Sequence, residues 1–314
     1  MKDCGLPPPI TIALATYNGA AFLATQLASI ASQTYPHWRL LISDDGSSDA
    51  TMQIASDFLA SFPKDRGQII PGPRAGSTRN FLHLTRQVSD GWLAYCDQDD
   101  KWLPDKLERA AAFLTEQSGP AIYAARTTIC DADLNILAPA PAFTRPLTFT
   151  NALIQACLPG NTIVANQAAL RLLQQGAPAA EAAGIVSHDW WAYQLLSGAG
   201  AAIKRDRAQV LLYRQHPENL MGRNDTARAK AARVSQLFDG TFSAWLDANQ
   251  AALEPVADLL TPENRKLLVD FKNARHEPGL MTAAALWRRG FYRQSRAGTC
   301  AIMAAAATGR LSSR

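Results

Sequence analysis

Cysteine is scarce in this 314-residue chain, and the five present (Cys4, Cys96, Cys130, Cys157 and Cys300) are scattered with no close pair. That spacing gives neither a zinc-ligand pattern nor a disulfide framework, and the odd count fits a reducing compartment. Strong charge of either sign is also missing. The formal net charge is only +4, and no basic run is interleaved with aromatics, which argues against nucleic acid as a partner. No window reaches the unbroken apolar length of a membrane helix. The first residues are polar and proline-rich, without the charged-then-apolar order of a signal segment. A cytoplasmic protein is the expectation. Internal repeats and low-complexity tracts are lacking. No Gly-x-Gly-x-x-Gly follows the first apolar run and no Gly-Lys-Ser/Thr loop occurs, which argues against a dinucleotide enzyme and a phosphate-loop ATPase. The phosphates of any bound nucleotide would have to be held by a metal and by basic side chains.

What is present is a core. Hydrophobic residues make up 47% of the chain, and its length suits one large domain with an appendage, or two domains. Ile10 to Ala15 is a continuous run of small and branched residues, the pattern of a strand covered on both faces. Thr16-Tyr17-Asn18-Gly19 breaks it with turn chemistry. From Ala20 to Ser32 the period becomes helical, with Leu23, Leu27 and Ile30 on one side. Trp38 to Ser43 is a second buried strand, followed by a helix that turns Ile54, Phe58 and Leu59 inward. Gln68 to Ile70 is a weaker strand. Ser77 to Val88 is a third helix, and Trp92 to Cys96 a third strongly buried strand. Alternation of this kind predicts an α/β fold with a mostly parallel sheet and helices on both faces.

In such sheets ligands bind at the carboxyl ends of the strands, and three polar clusters fall there: Thr16-Tyr17-Asn18, Asp44-Asp45 and Asp97-Gln98-Asp99-Asp100. Acids at the end of a buried strand are costly unless compensated, and hard oxygen ligands suit Mg²⁺ or Mn²⁺. Asp97 and Asp99 lie two apart, so on an extended backbone they project to one side. One can take a metal while the other takes a sugar hydroxyl or a second coordination place. The plainer reading is that these acids cap the following helix, and Asp100 or Asp105 needs no other role.

Taken together, Ala15-Thr16-Tyr17-Asn18-Gly19, Ser43-Asp44-Asp45-Gly46-Ser47-Ser48-Asp49 and Asp97-Gln98-Asp99-Asp100 with Trp102 and Pro104 resemble family 2 glycosyltransferases. His188-Asp189-Trp190-Trp191 and Tyr213-Arg214-Gln215-His216 are similar to the bacterial rhamnosyltransferase-like branch that builds surface polysaccharide. The likeness covers about residues 8–220. It implies a GT-A fold: a Rossmann-like nucleotide-sugar half at about 8–118, an acceptor half at about 119–225, and a C-terminal helical region over 226–314. By that likeness Thr16 and Tyr17, with Asn18, lie against the nucleoside base. Asp44 or Asp45 binds base and ribose, Asp97 reaches ribose or sugar, and Asp99 ligates a Mg²⁺ or Mn²⁺ ion bridging the diphosphate. Arg79 takes the place of a basic residue near the nucleotide, although Pro73-Arg74-Ala75-Gly76 replaces the usual Asn-x-Gly lead-in to its helix. His216 is implied as a metal or phosphate ligand, and Arg214 as a counter-charge to the leaving diphosphate.

An inverting transfer needs a base for the acceptor hydroxyl, and the family pattern gives that part to Asp189; the alternative is the N-cap of the helix it opens. Trp190 and Trp191 line the sugar pocket or belong to the core. Ile122 to Ile129 and Val210 to Tyr213 read as strands, and Pro139 to Pro146 as an irregular loop on the acceptor side. Leu158 to Val164 resembles the family's acceptor loop, or is a plain loop into a strand. Ala-rich helices are expected over 226–239, 241–253 and 262–274. Leu280 to Arg314 is amphipathic and basic. It suits an anionic membrane surface where lipid-linked acceptors reside, packing on the catalytic domain, or a homodimer contact.

The activity implied is an inverting, metal-dependent glycosyltransferase. It would take a dTDP- or UDP-linked sugar, rhamnose among the candidates, and pass it to a saccharide or lipid-linked glycan. The rivals are a sugar nucleotidyltransferase and a non-catalytic nucleotide-sugar-binding scaffold. A nucleotidyltransferase usually carries a basic residue in a Gly-rich loop after the first strand, which Thr16-Tyr17-Asn18-Gly19 lacks.

Overall fold

The computed structural model describes residues 8–216 and 234–312. Its centre is three apolar strands, β1 (Ile10–Thr16), β2 (Trp38–Asp44) and β4 (Trp92–Cys96), almost wholly buried. Their branched and aromatic side chains suit a sheet covered on both faces. Strand β3 (Gly67–Pro71) pairs with β2 at the edge, and all four run parallel. Helices α1 (Ala20–Ala31), α2 (Thr51–Ala60) and α3 (Ser77–Gln87) connect them.

The second half extends the same sheet. Strand β5 (Lys101–Trp102) and helix α4 (Lys106–Leu114) precede β6 (Ala121–Cys130), which carries β7 (Ile136–Pro139) as an antiparallel neighbour. After α5 (Phe149–Ala152) comes β8 (Val164–Ala165), then α6 (Gln167–Ala183), α7 (His188–Gly198) and β9 (Ala202–Arg214). The order is β3-β2-β1-β4-β8-β6-β9-β5. The sheet is parallel in its nucleotide half but mixed beyond it. The two-residue β8 sits antiparallel between β4 and β6, whereas β9 is parallel to β6. Strand β9 is also much longer than the expected Val210 to Tyr213. Its first half, Lys204-Arg205-Asp206-Arg207, is charged and carries no apolar run, so its pairing along β6 is a tertiary effect.

Helices cover both faces, as expected. One core gathers α1, α2 and α4 residues such as Leu23, Leu27, Ala55 and Leu107. The other gathers α3, α6 and α7 and continues into the C-terminal helices. These are α8 (Thr241–Leu253), α9 (Pro262–His276), α10 (Gly279–Arg288) and α11 (Arg296–Ala307). Phe242 of α8 stacks on Trp190 of α7, with ring centroids 5.9 Å apart. Arg275 is fully buried and joins α9 to α8 and to the chain end, through Asp247 (2.7 Å) and the Leu311 carbonyl (2.8 Å). The basic segment from Leu280 is therefore two helices, turned at Gly290 (φ 71°), with Leu286, Phe291, Ile302 and Leu311 packed inward. The boundary at 225/226 and most of the expected helix over 226–239 lie outside the described residues, as do residues 313–314. No helix among the described residues is long and apolar enough to cross a membrane.

Candidate active site

The turn after β1 and the loop after β2 are built as one unit. Asp44 accepts from the Thr16 hydroxyl (3.0 Å), the backbone N–H groups of Gly46 (3.1 Å) and Ser47 (2.8 Å), and the Ser47 hydroxyl (2.5 Å). Asp45 accepts from the N–H groups of Arg74 (2.6 Å) and Gly76 (2.8 Å), which ties β2 to the lead-in of α3. Both carboxylates are buried and engaged by the protein itself. Of the residues expected against the base, Thr16 is 2% exposed with its hydroxyl taken by Asp44, while Tyr17 is 58% exposed and offers its ring. Asn18 holds a left-handed φ of 47° that its short polar side chain tolerates, and its Oδ1 accepts from the Ser48 N–H (2.9 Å). Arg79 is exposed in the first turn of α3, and the exposed Arg74 lays its side chain over Gly46.

Gln98, to which the sequence motif gave no separate role, turns out to be a clamp. Its Oε1 accepts from the Tyr17 N–H (2.9 Å) and its Nε2 donates to the Tyr17 carbonyl (3.0 Å). The acid loop after β4 thus fixes the turn after β1.

The acids of that loop differ in burial and in partners. Asp100 is fully buried and accepts from Asn161 Nδ2 (2.6 Å) and the Arg214 N–H (3.3 Å). Its role is to bind the loop to the second half of the chain, rather than to cap α4. Asp99 lies at the mouth, its Oδ2 2.9 Å from Nε2 of His216. Asp97 is half-buried. Burial first, then repulsion from Asp99 and Asp189, pushes its carboxyl well above the usual range, with Lys106 opposing. Asp100 is raised for the same first reason, and then by Asp99 and Asp97. Beneath the loop Lys106 is fully buried, with Nζ 3.1 Å from the Trp102 ring centre and without a hydrogen-bond partner among the described residues. Burial lowers it to about 7, opposed by Cys96, Asp100 and Asp97.

The second half meets these acids through α7. Asp189 lies in its first turn while Ser187 holds the cap position, so the N-cap alternative for Asp189 is corrected. Its Oδ2 accepts from the Gly160 N–H (3.2 Å) and its Oδ1 from the Trp190 N–H (2.7 Å). Gly160 belongs to the Leu158 to Val164 segment, here a single 3₁₀ turn leading into β8. A Cβ at Gly160 would sit 2.9 Å from His188 Nε2 and 3.2 Å from Asp189 Cβ, so the close approach needs glycine. Trp190 and Trp191 are both core, at 3% and 1% exposure; a pocket-lining part for either is corrected by their packing on Phe242 and Gly176. Arg214 is 5% exposed. Its Nε donates to the Asp99 carbonyl (2.8 Å), its Nη1 to the Ala132 carbonyl, and its guanidinium lies over Phe22, 4.7 Å from the ring centre. These contacts hold the acid loop from behind.

The cleft suits a hard divalent cation in charge and in donor type. Carboxylates from two parts of the chain repel one another across it, and the Asp99–His216 pair lies at its edge. Among the described residues no three His, Cys, Asp or Glu side chains form a ready-made cage. The remaining positions would fall to ligand oxygens and water, the usual arrangement for Mg²⁺ at a diphosphate.

Parallel strands that end at one cleft, faced there by a carboxylate from a mixed second half, place the protein in the GT-A class of glycosyltransferases. The sequence pattern of Glycosyl transferase family 2 matches residues 11–171, just over half of the chain, and the protein belongs to that family. The chain is 29% identical over 237 residues to the dTDP-rhamnosyl transferase RfbG of Shigella flexneri, covering 70% of this chain and 78% of that one. Several other curated relatives match over less than half of their own length, such as the putative glycosyltransferase EpsE of Bacillus subtilis, 33% identical over 110 residues, 34% of this chain and 38% of that one. The fold superposes on S. aureus TarS 1–349 in complex with UDP at a TM-score of 0.53 and 12% identity, covering 96% of this chain and 90% of that one. It also superposes on the mannosyltransferase PcManGT of Pyrobaculum calidifontis in complex with GDP-Man and Mn²⁺, at 0.51 and 16%, covering 97% and 86%. The nucleotidyltransferase alternative gives way to this membership.

Proposed function

We propose that the enzyme transfers a sugar, rhamnose first among the candidates, from a nucleotide-diphosphate donor to a hydroxyl of a saccharide or lipid-linked glycan, with inversion at C1. The observation that carries this is that adjacent residues of one 3₁₀ turn hold both sets of acids: Asn161 donates to Asp100 of the loop after β4 (2.6 Å), and the Gly160 N–H to Asp189 at the start of α7 (3.2 Å). A donor half and an acceptor half each contribute acids to the same cleft. The similarity to a dTDP-rhamnosyl transferase supports the choice of donor.

The nucleoside lies along Thr16, Tyr17 and Asn18, with the Tyr17 ring toward the base and the Asp44–Asp45 loop shaping the wall. Asp97 takes a ribose or sugar hydroxyl. Arg79 supplies positive charge at the rim. A Mg²⁺ or Mn²⁺ ion held by Asp99 and His216 would offset the charge of the departing diphosphate, as Mn²⁺ accompanies GDP-Man in the archaeal relative. Arg214 acts from beneath, fixing the backbone at Asp99. The acceptor oxygen attacks C1 as the C1–phosphate oxygen bond breaks, and its proton passes to the Asp189 carboxylate. The division into a catalytic unit up to residue 225 and a helical region beyond is part of the same reading. A peripheral membrane contact or a homodimer through that region is its open extension.

The test is a thermal-shift screen of nucleotide sugars with and without Mn²⁺. A dTDP-linked sugar should raise the melting temperature only when the ion is present. A shift of equal size without it, or none with any nucleotide sugar, would sink the reading.

A further inference from the structure

The chemistry above uses the carboxyl ends of the strands. A second concave feature lies elsewhere. The first half of β9, the loop that follows β7 and the turn after α7 border an open cavity of about 320 Å³. Arg145, Arg205 and Arg207 line it together with Phe143, Leu147 and Ile203, and no acidic residue does. Ile203, Arg205 and Arg207 of β9 all border it, the strand bulging against β6 between Arg205 and Gln209. Strands β1, β4, β6 and β9 run in a common direction, so the cavity sits toward the opposite edge of the sheet from the donor cleft. Arg207 precedes Arg214 by seven positions along β9, at most roughly 23 Å of extended chain.

No carboxylate among the described residues balances these charges. Arg126, Arg145, Arg205 and Arg207 form no ion pair with a carboxylate among the described residues. Arg205 lies against Phe143, 4.6 Å from its ring centre, and donates to the Pro141 carbonyl (3.2 Å), yet its buried Nε has no hydrogen-bond partner among the described residues. Burial most of all pushes its pKa below the ordinary guanidinium value, and the Arg126 charge adds to this while Cys157 opposes it. That value is so high that the group stays charged. Arg145 rests on the Tyr292 ring, 4.0 Å from its centre, and donates from Nη1 to the Arg293 carbonyl (2.8 Å), which fixes its place. A donor left unmade in a buried site is costly, and clustered guanidiniums repel. The complement of both defects is a compact, multiply charged oxyanion, which the planar forks of arginine bind through paired hydrogen bonds. The apolar walls leave room for a substituent on it.

We propose that the cavity bounded by Arg145, Arg205 and Arg207 is a second anion site, which binds a phosphate or diphosphate group carried by a free ion or by a lipid ester. It stands apart from the donor's diphosphate and does not rest on the reading of the donor cleft.

The experiment is calorimetric titration of the full-length protein with sodium pyrophosphate in EDTA, which denies the donor cleft its cation. Saturable binding is expected, at least tenfold weaker in Arg205→Gln and in Arg207→Gln. Arg207 is exposed at the rim, so its variant folds even if the Arg205 variant does not, and its Mn²⁺-dependent donor hydrolysis should match wild type. No saturable binding at millimolar pyrophosphate, or undiminished binding in the Arg207 variant, overturns the proposal. A parallel loss of donor hydrolysis in that variant would place the anion in the donor cleft and overturns it too. Flotation with phosphatidylcholine vesicles carrying a polyprenyl diphosphate separates the sources. Recruitment competed by free pyrophosphate assigns the site to a lipid ester, and calorimetric binding without recruitment assigns it to a soluble ion.

Discussion

Asp189 is positioned by backbone, not by a charged neighbour. Two N–H groups, of Gly160 and Trp190, hold its oxygens. The adjacent His188 offers no counter-charge. It is stacked on Phe81 with ring centres 3.9 Å apart, and burial lowers it to about 4 against the pull of Asp189, so it is neutral near pH 7. Replacing Asp189 with Asn preserves both shape and hydrogen bonds at Gly160 only in part, but removes the base. Transfer should fall by about 10²–10⁴-fold while donor affinity stays within a factor of a few, read from turnover and from donor titration. Gly160→Ala tests the same geometry without replacing a titrating group. Its methyl would press on His188 and Asp189, so turnover should drop at least about tenfold with donor affinity unchanged. Full turnover in that variant would mean that the 3₁₀ turn does not set the base.

At the scale of elements, the donor half is a set of strand ends locked to one another. The Gln98 amide bridges the β4 loop to the β1 turn at two points. Gln98→Ala removes both bonds at an exposed site, so the fold should melt within a few degrees of wild type. The Tyr17 turn should loosen, and nucleotide affinity should weaken by about 1–2 kcal/mol in a binding titration. Unchanged affinity would show that the turn is held without Gln98, by Asp44 and the residues that follow β2. This half was legible in the sequence because its signals are local: β1, β2 and β4 are apolar runs, and the acids follow them directly. Much of the other half was not. The charged start of β9 is a strand because β6 pairs with it, and β5 and β8 are two residues each. The same distinction holds within the site. Asp97, Asp99 and Asp189 carry visible motifs. Gly160, Asn161 and the part of Arg214 in fixing Asp99 depend on contacts between distant segments, which spacing along the chain does not encode.

For the molecule as a whole, the acid cleft couples stability to pH and to metal. Asp97 is raised to about 8 in the fold, by burial before repulsion, from 3.8 for an ordinary aspartate. A folded pKa above the unfolded one means stability that is fully present below 3.8 and is lost as pH climbs through about 8. Lys106 acts the other way in a higher window: its buried charge costs stability in full below about 7, and the cost is relieved toward 10.5. Between pH 5.5 and 7 the carboxylate effect therefore dominates, and it can reach about 1.4 kcal/mol per pH unit for each group. A divalent cation competes with those protons. Its stabilising effect should consequently grow with pH, by roughly 2 °C or more in melting temperature per unit for each carboxylate released. Melts at pH 5.5, 6.5 and 7.5, with Mn²⁺ and with EDTA, measure this difference directly. Asp99→Ala should flatten it, and in EDTA it should also ease the loss of stability at higher pH, because repulsion from Asp99 is the second cause, after burial, of the raised Asp97 carboxyl. A Mn²⁺ shift that is the same at all three pH values, or that survives in Asp99→Ala, would separate the ion from this cleft and leave the acids with a purely architectural part.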